Sequence, residues 1–450
     1  MHIKTITLLR EKEVFVSFTD KPVTPWGGLV LFSGFAREIG LAGALRQHMP
    51  FAVTSPNATP PEDIALAFMS GVIIGARRFS HLEHLRQDCA LGHILGLERF
   101  VADATFSRFF GRFRQGEVNA LFGQLFRWQL AKLPSLFPVL KQGCTLNLDS
   151  SVFERYGHQE GAVLGYNPKK HRRPSHHPLF ATLGEIPIVV HSWLRSGNTS
   201  SHRGAAEFLA ETLALLPADM PVTAVRGDSG FGVDHFLAFL EGRLLKYAVA
   251  GKFTRGLQNK IAGINDWERV DDGITIAEVM FQAQGWPCAR RVVVVRERTP
   301  KKDFVRGREL FDNPAYAYQA VITNMPDDAV AVWRFQRGRA DIENRLRELK
   351  WDYGMDGFCL KKFFATEAAL RLVCLTHNLV AMLERRLGHA AHATLGTLRM
   401  RLFACGAILG KTARKTALRL SLKGHLQERF RIWLESLYSG NGNCVAVGTG

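Results

Sequence analysis

Three acidic residues stand in sequence contexts where a carboxylate can do chemistry. The first, Asp149, lies in the run CTLNLDSSVF at residues 144–153. Leu146 and Leu148 alternate there with polar residues, which predicts a buried strand. A carboxylate in such a strand is costly to desolvate unless it is paired with a cation or binds a metal ion. Pairing with an arginine, or a position at a water-exposed strand end, is the plainer explanation.

The second acid follows another predicted buried strand. The segment VTAVR at 222–226 runs directly into GDSGF at 227–231, so that Asp228 stands at the carboxyl end of a strand between two glycines. Open α/β sheets place their binding sites at this edge. A simple Asx turn explains the same residues without any site.

The third acid, Glu343, lies on a helix predicted over residues 328–351. At about 100° per residue, the apolar stripe of this helix comprises Phe335, Gly338, Ile342, Leu346 and Leu349. Arg339, Glu343 and Lys350 line up beside that stripe, so Glu343 could reach a neighbouring sheet. The plainer alternative is an exposed i,i+4 ion pair between Arg339 and Glu343, worth a few tenths of a kcal/mol. We expect three further polar residues to face solvent: Asp341, Arg345 and Glu348.

Composition restricts the partners and the compartment. The 450 residues contain 58 Lys and Arg against 41 Asp and Glu, a net charge of +17, which indicates a polyanionic partner: nucleic acid first, an anionic membrane surface second. The seven cysteines are scattered without a CxxC pair, which suits a reducing cytosol and argues against a disulfide framework or a zinc ribbon. No signal peptide and no apolar run of the roughly 20 residues needed to cross a bilayer are evident. We therefore expect a cytoplasmic protein.

Changes in pattern along the chain predict its domain organisation. We expect a mostly helical N-terminal DNA-binding domain at 1–138 and a first part of the catalytic core at 139–254. A strand-rich and turn-rich insertion should follow at 255–327, then a second part of the core at 328–395. Residues 396–450 form a basic C-terminal region and tail.

Several basic and aromatic residues outside the three acids are candidates for DNA contact. Arg108 and Arg112 lie on an amphipathic helix, where they either contact phosphates or form an ordinary solvated face. Trp286, in the insertion, could stack on an unpaired base, although a core aromatic is the plainer explanation. The loop after the Asp149 strand carries four cations suited to phosphate: Lys169, Lys170, Arg172 and Arg173. The histidines of that loop lack the spacing of a zinc site.

The three acids and their surroundings resemble a known family, the ribonuclease H-like DDE transposases of bacterial insertion sequences. LNLDSS at 146–151 is similar to the first aspartate box of that family, and RGDSGF at 226–231 to the second. Arg339, Glu343 and Lys350 match the R-x3-E-x6-K part of the signature of its cut-and-paste group with a β insertion. GHQEGAVLGYNP and LRSGNTS resemble stretches of one branch. The resemblance implies an α/β fold: a ribonuclease H-like mixed sheet flanked by helices, with a β-rich insertion and a helical N-terminal domain.

The resemblance also implies a chemistry. Two Mg²⁺ ions about 4 Å apart, for which Mn²⁺ can substitute, would promote in-line cleavage and strand transfer of DNA. Asp149 would bridge the ions, and Asp228 and Glu343 would each bind one of them. Arg339 and Lys350 would grip phosphates beside the metals. The implied DNA partners are the terminal inverted repeats of the element and the target DNA, bound by a homodimer in the synaptic complex of a bacterial, nucleoid-associated enzyme.

One position departs from the signature, and other functions stay open. The family has a tyrosine three residues before the arginine, where this chain has Gln336, so the contact of that tyrosine to DNA is in question. A structure-specific nuclease or junction resolvase of the same fold would cut but not join. A domesticated DNA-binding protein would do neither, although the presence of all three acids argues against it. A two-carboxylate glycosidase fits poorly with the basic charge.

Overall fold

The computed structural model describes residues 3–7, 13–53, 55–165, 172–298, 316–412 and 415–438. The strands are β1 (Ile3–Thr7), β2 (Glu13–Val16), β3 (Val23–Thr24), β4 (Cys144–Ser150), β5 (Phe153–Glu154), β6 (Ser175–His176), β7 (Leu179–Leu183), β8 (Val189–Trp193), β9 (Val222–Gly227), β10 (Lys246–Ala250), β11 (Glu268–Asp271), β12 (Ile274–Phe281), β13 (Arg290–Arg298), β14 (Tyr316–Thr323), β15 (Ala407–Thr412) and β16 (Lys415–Leu420).

The helices alternate with these strands in the middle of the chain and dominate its first part. They are α1 (Leu29–Glu38), α2 (Leu41–His48), α3 (Pro61–Ile74), α4 (Phe79–Leu82), α5 (Cys89–Leu95), α6 (Asp103–Phe110), α7 (Gln115–Leu130), α8 (Leu133–Leu136), α9 (Ala205–Leu215), α10 (Asp234–Gly242), α11 (Arg255–Ala262), α12 (Ala329–Arg337), α13 (Ala340–Trp351), α14 (Phe363–Arg386), α15 (Leu395–Leu398) and α16 (Gly424–Tyr438). Short 3₁₀ segments add Glu83–Gln87 and Pro138–Gln142, and a π-helical turn adds Arg399–Phe403.

A nine-stranded mixed sheet forms the centre of the molecule, in the order β11-β12-β13-β14-β10-β9-β4-β7-β8. Strands β4, β9 and β10 are parallel, whereas β7 and β8 join antiparallel beside β4. The five strands β8-β7-β4-β9-β10 thus have the 3-2-1-4-5 order of a ribonuclease H-like sheet. Helices pack on it, α13 against β4 and α9 and α14 against β8. This architecture confirms the predicted fold class.

The segment predicted as a β insertion extends this sheet rather than forming a separate one. After helix α11, strands β11 to β14 form an antiparallel series, and β14 pairs with β10 of the core. Arg290 on β13 donates hydrogen bonds to Asp234 and Glu241 of α10 at 2.8 Å, which joins the two parts by ion pairs of a nearly buried guanidinium. The proposed domain boundaries stay a prediction.

Helix α14 joins the N-terminal helices to the sheet. Asn378, at its buried centre, donates hydrogen bonds from Nδ2 to the Val189 carbonyl of β8 at 2.7 Å and to Gln129 Oε1 of α7 at 2.9 Å. The Val189 N–H donates in turn to Asn378 Oδ1 at 2.8 Å. The buried Asn378 amide therefore satisfies the backbone N–H and carbonyl of Val189 on edge strand β8 and connects this strand to α7. A continuous apolar core runs from α1 to α16.

The helix predicted over 328–351 is in fact two helices, α12 and α13, with Gly338 and Arg339 between them. A Cβ at Gly338 would lie 2.1 Å from Nη1 of Arg226, so the guanidinium fills the space that a side chain would need. Glu348 is buried, at 6% exposure, because His392 and the Leu395 N–H cover its carboxylate, and Arg345 is largely covered. The prediction that both face solvent is therefore wrong.

The two chain ends pack on each other. β15 pairs with both β16 and the short strand β3, and the Tyr438 hydroxyl of α16 donates to the Val30 carbonyl of α1 at 2.9 Å. The described part of the C-terminal region, which ends at Tyr438, therefore contacts β3 and α1. Across the residues that the structure describes, no helix has the length and apolarity needed to cross a bilayer.

Candidate active site

The pairing of β4 with β9 places the two aspartates side by side. Leu148 of β4 is in register with Gly227 of β9. The next residue on each side is the aspartate: Asp149 within β4 and Asp228 directly after β9. Asp149 is 8% exposed, and its Oδ1 accepts a hydrogen bond from the Ser150 N–H at 2.8 Å. Since the strands are parallel, both carboxylates emerge at the same edge of the sheet.

The Asp228 turn is both an Asx turn and a candidate site. Asp228 Oδ1 accepts the Gly230 N–H at 2.8 Å, and the Phe231 N–H donates to the Asp228 carbonyl at 3.1 Å. A Cβ at Gly230 would lie 2.6 Å from the Cβ of Ser201 and 2.9 Å from Asp228 Oδ1, which explains the glycine. Phe231 is fully buried and anchors the turn. The motif is therefore an Asx turn, as its plainer explanation predicts, and the same turn holds Asp228 at the end of β9.

Glu343 comes to these aspartates from the first turn of α13. Its side chain is 60% exposed, and its Oε1 accepts from Nη2 of Arg339 at 2.8 Å. Nη1 of the same Arg339 lies 3.7 Å from Oδ2 of Asp149. One guanidinium therefore stands between the first and third carboxylates, and the structure brings Asp149, Asp228, Arg339 and Glu343 together.

The electrostatics of the site show an excess of negative charge. The pKa of Asp149 is raised to about 7, first by burial and next by the charge of Asp228, whereas Arg339 and the Ser150 N–H act in the opposite sense. Glu343 adds a smaller raising effect. Three carboxylate groups at one edge are the hard oxygen donors that Mg²⁺ prefers. The donor set and the crowding of like charge therefore both fit binding of divalent cations.

A groove of about 970 Å³ opens beside the acids. Asp228, Arg339 and Glu343 line one part of it, and Lys252 and Arg337 add positive charge. Its wall also includes Phe253 from the segment after β10, Tyr318 from β14 and Trp333 from α12. An open groove with cations and aromatic side chains can accept an extended polyanion.

Arg226 is a residue to which sequence reasoning gave no role, although it begins the second aspartate box. Its Nε donates to Asn147 Oδ1 of β4 at 2.6 Å, and its Nη1 donates to the Phe335 carbonyl of α12 at 2.9 Å. The guanidinium is 7% exposed and also lies over the Phe335 ring. It therefore fixes the strand of Asp149, the strand of Asp228 and the helix preceding Glu343 relative to one another.

Gln336 has an internal role in this structure. It is buried, and its Nε2 donates to the Gly227 carbonyl at 2.9 Å, directly before Asp228. Gln336, at the position of the family tyrosine, thus holds the backbone immediately before Asp228.

A polar network behind Ser150 was also missed. Ser150 Oγ lies 3.0 Å from Ser201 Oγ and 3.3 Å from His177 Nε2, and His177 Nδ1 lies 2.7 Å from the Thr199 carbonyl. Arg195, in LRSGNTS, donates to the carbonyls of residues 177, 200, 201 and 203. Burial lowers the pKa of His177. The resemblance of LRSGNTS to a family stretch was the only signal that this loop matters.

The remaining candidates lie at varying distances from the acids. Lys350 donates to the Val152 carbonyl at 3.1 Å, just past the end of β4, and its ammonium lies over the Phe153 ring. Arg173 lies over the ring of Tyr156. Arg172 has a left-handed backbone conformation with φ of 63°. Lys169 and Lys170 lie outside the residues that the structure describes.

Arg108 and Arg112 line a different groove, of about 470 Å³, on the N-terminal helices. Arg86 and Arg99 line the same groove, so four arginines contribute to its wall. Trp286 is half-buried against Phe281 and beneath the Arg290 guanidinium at 4.8 Å. The structure does not bring these residues to the three acids.

A family model described as transposase DDE domain group 1 matches residues 6–440. Among solved structures, the chain is similar to a piggyBac transposase in a synaptic complex with hairpin DNA, with a TM-score of 0.43 and 11% identity over 86% of this chain and 83% of that one. A search of curated protein sequences found no match.

Proposed function

Since this chain belongs to the transposase family defined by DDE domain group 1, we propose that it catalyses cut-and-paste transposition of a bacterial insertion sequence. It binds the terminal inverted repeats of the element, cleaves DNA strands there and joins the 3′ ends to target DNA. The observation that carries this proposal is the convergence of Asp149, Asp228 and Glu343, from β4, the end of β9 and α13, around Arg339.

The three carboxylates are proposed to hold two divalent ions, Mg²⁺ or Mn²⁺. Asp149 interacts electrostatically with both Asp228 and Glu343, so it would be the ligand that the two ions share. Asp228 and Glu343 would each bind one ion. When bound, such a pair activates the attacking hydroxyl group and stabilises the leaving oxygen. The groove beside Asp228 and Glu343 admits the DNA strand, and Lys252, Arg337 and Arg339 on its wall orient the phosphate for in-line attack.

Arg339 is proposed to have two tasks. In the structure its guanidinium compensates the charges of Asp149 and Glu343, which relieves repulsion between carboxylates. Its planar N–H donors are also suited to bidentate contact with a phosphate. Lys350, held at the end of β4 by the Val152 carbonyl, contributes positive charge on the same side.

Binding of duplex DNA is proposed to use surfaces outside the acidic site. The four arginines of the N-terminal groove give a concentrated positive surface. Arg172, Arg173, Lys169 and Lys170, which follow β5 in the sequence, are proposed to contact phosphates. Trp286 of the insertion is proposed to stack on a base at the cut end. Two copies of the chain would bring two ends together.

The test is a set of isosteric substitutions at the three acids. Asp149→Asn, Asp228→Asn and Glu343→Gln should each abolish Mg²⁺-dependent cleavage and strand transfer on a DNA end, while binding to that end persists. Asp341→Asn is the matched control, because Asp341 is an exposed acid in the same first turn of α13 as Glu343. It should retain activity within about twofold, since a surface substitution changes stability by about 0.5 kcal/mol or less.

The products distinguish the proposal from its alternatives. Cleavage without joined products would indicate a nuclease or resolvase of the same fold. Binding of DNA by the wild type without any cleavage in Mg²⁺ or Mn²⁺ would indicate a DNA-binding protein that has lost catalysis. Wild-type activity in any one acid variant would remove that residue from the site.

A further inference from the structure

Two histidines and a glutamate from three parts of the chain converge away from the proposed catalytic acids. Glu348 lies on α13, His377 on α14 and His392 in the loop after α14. One potential ligand atom of each lies within 4.8 Å of the other two. Glu348 is five residues beyond Glu343 on α13, hence about 140° around that helix. This group, the Glu348–His377–His392 cluster, is a separate feature.

The hydrogen bonds of His392 orient it toward the cluster. Its Nδ1 lies 2.8 Å from Oε2 of Glu384, and its Nε2 lies 2.8 Å from Oε2 of Glu348. A carboxylate only accepts, so without an ion both ring nitrogens donate, Nδ1 to Glu384 and Nε2 to Glu348. A bound ion would displace the Nε2 proton, while Glu384 holds the proton on Nδ1. An outer carboxylate that fixes a histidine in this way is the usual support of a histidine ligand at zinc.

The second histidine is oriented in the same sense. His377 Nδ1 lies 3.4 Å from Asn378 Oδ1, an oxygen that also accepts the Val189 N–H, so Nδ1 is the donor. That leaves the lone pair of Nε2, which is buried and has no hydrogen-bond partner in the described part of the chain. A buried polar atom without a hydrogen-bond partner destabilises the folded state. An ion bound at His377 Nε2 would remove this destabilisation.

Glu348 presents one oxygen to the same place. Its Oε1 accepts the Leu395 N–H at 2.9 Å, which leaves Oε2 directed at His392. Glu348 is 6% exposed and Glu384 3%, so two carboxylates are buried together. Buried carboxylates need compensating positive charge. Arg345, on the same helix, interacts with Glu348 and disfavours a further cation, so we expect affinity below that of a closed four-ligand zinc site.

A path for an ion leads to the cluster from solvent. A groove of about 480 Å³ includes Glu348 and His392 in its wall, together with Asn344, Asp352 and Thr394. The His392 side chain is 24% exposed at this groove. Water can therefore reach the cluster and supply a fourth ligand.

We propose that the Glu348–His377–His392 cluster binds one Zn²⁺ ion through Glu348 Oε2, His377 Nε2 and His392 Nε2, with water in the remaining position. Two imidazole nitrogens and one carboxylate are a zinc donor set, and nitrogen ligands select against Mg²⁺. The ion fastens the loop after α14 to α13, the helix that carries Glu343. Its role is structural, and it is independent of the proposed function.

The test measures zinc directly and needs no DNA. Untagged full-length protein is stripped with a chelator and dialysed against Mg²⁺, and Zn²⁺ is then titrated by calorimetry with metal content measured by mass spectrometry. We expect one Zn²⁺ per chain in the wild type and in Asp149→Asn, whose proposed catalytic site is altered. His392→Asn should bind Zn²⁺ at least 100-fold more weakly.

A matched control and an independent readout complete the experiment. His389→Asn changes a half-buried histidine of the same loop, 3.8 Å from Glu384, and should leave zinc binding unchanged. Co²⁺ added to the stripped wild type should give the visible absorption of a four-coordinate site, which needs no variant. The proposal is wrong if the wild type binds no Zn²⁺ at micromolar concentration, or if His392→Asn retains it. His392 would then be an imidazolium whose Nδ1–H donates to Glu384 and whose Nε2–H donates to Glu348, and a water molecule would lie at His377 Nε2.

Discussion

Arg226 donates its Nε–H to Oδ1 of Asn147 at 2.6 Å, and this bond joins the strand that carries Asp149 to the strand that ends at Asp228. The same guanidinium donates to the Phe335 carbonyl at the end of α12. Its position beside Gly338 also explains why the helix breaks before Glu343. The relative placement of the three acids therefore depends on a buried residue that is not itself one of the proposed ligands.

Arg226→Lys should disrupt this placement. A lysine ammonium cannot reproduce the planar fork that reaches Asn147 and the Phe335 carbonyl together. We expect a loss of about 2 kcal/mol in the free energy of unfolding and a decrease of tenfold or more in the rate of strand cleavage, since small displacements of reacting groups are costly. Urea unfolding and a cleavage assay on a labelled DNA end measure the two effects.

Arg243→Lys is the control for Arg226, since Arg243 is exposed and lies over the Phe239 ring. It should change neither quantity appreciably. Cleavage at the wild-type rate by folded Arg226→Lys would show that the acids keep their positions without this residue.

Arg339→Gln should separate cation binding from catalysis. Arg339 compensates Asp149 and Glu343, so its removal leaves more negative charge at the site and should tighten Mn²⁺ binding by up to about tenfold. Cleavage should nevertheless decrease by about tenfold or more, because a phosphate contact is lost. Electron paramagnetic resonance of free Mn²⁺ reports the first quantity and a cleavage assay the second. Arg334→Gln, an exposed arginine of α12, should alter neither; a parallel decrease in Mn²⁺ affinity and cleavage for Arg339→Gln would contradict this assignment.

The arginine groove on the N-terminal helices should act on binding and not on chemistry. Arg108→Ala and Arg112→Ala should each weaken binding to an element end and lower the salt slope of the binding constant by about one. Once DNA is saturating, the cleavage rate should be that of the wild type. Fluorescence anisotropy at several salt concentrations measures the slope. Arg431→Ala is the control, because Glu428 and Glu435 already neutralise Arg431; an unchanged slope for both groove variants would exclude this surface.

Stability should decrease in acid because of buried neutral histidines. Burial lowers the pKa of His176 and of His191 from 6.5 to about 4. Between these values the unfolded chain binds more protons, so the stabilisation is complete above about pH 6.5 and is lost as the pH decreases toward 4. Each histidine contributes a slope of up to about 1.4 kcal/mol per pH unit in this window.

His191→Gln should remove its share of this slope, as measured by urea unfolding at several pH values. His158→Gln is the matched control, since His158 is exposed. An equal slope in the His191 variant and the wild type would mean that other groups cause the acid sensitivity.

Much of the proposed catalytic edge could be predicted from local pattern. Asp149 stands in a run whose alternation predicts a strand, and Asp228 stands between glycines that a tight turn requires. Period and turn chemistry are local properties, so the sequence carries them directly. The excess of basic residues likewise indicated a polyanionic partner before any geometry was known.

Other features depended on contacts between distant parts of the chain. The break at Gly338 follows from the position of Arg226, 112 positions earlier, and a helical wheel cannot contain that contact. For the same reason Glu348 was expected in solvent and is instead buried beside His392. Sequence by itself determined which residues have the chemistry and the local conformation for a site. Tertiary structure alone decided which of them meet, because burial and side-chain pairing depend on distances in space and not along the chain.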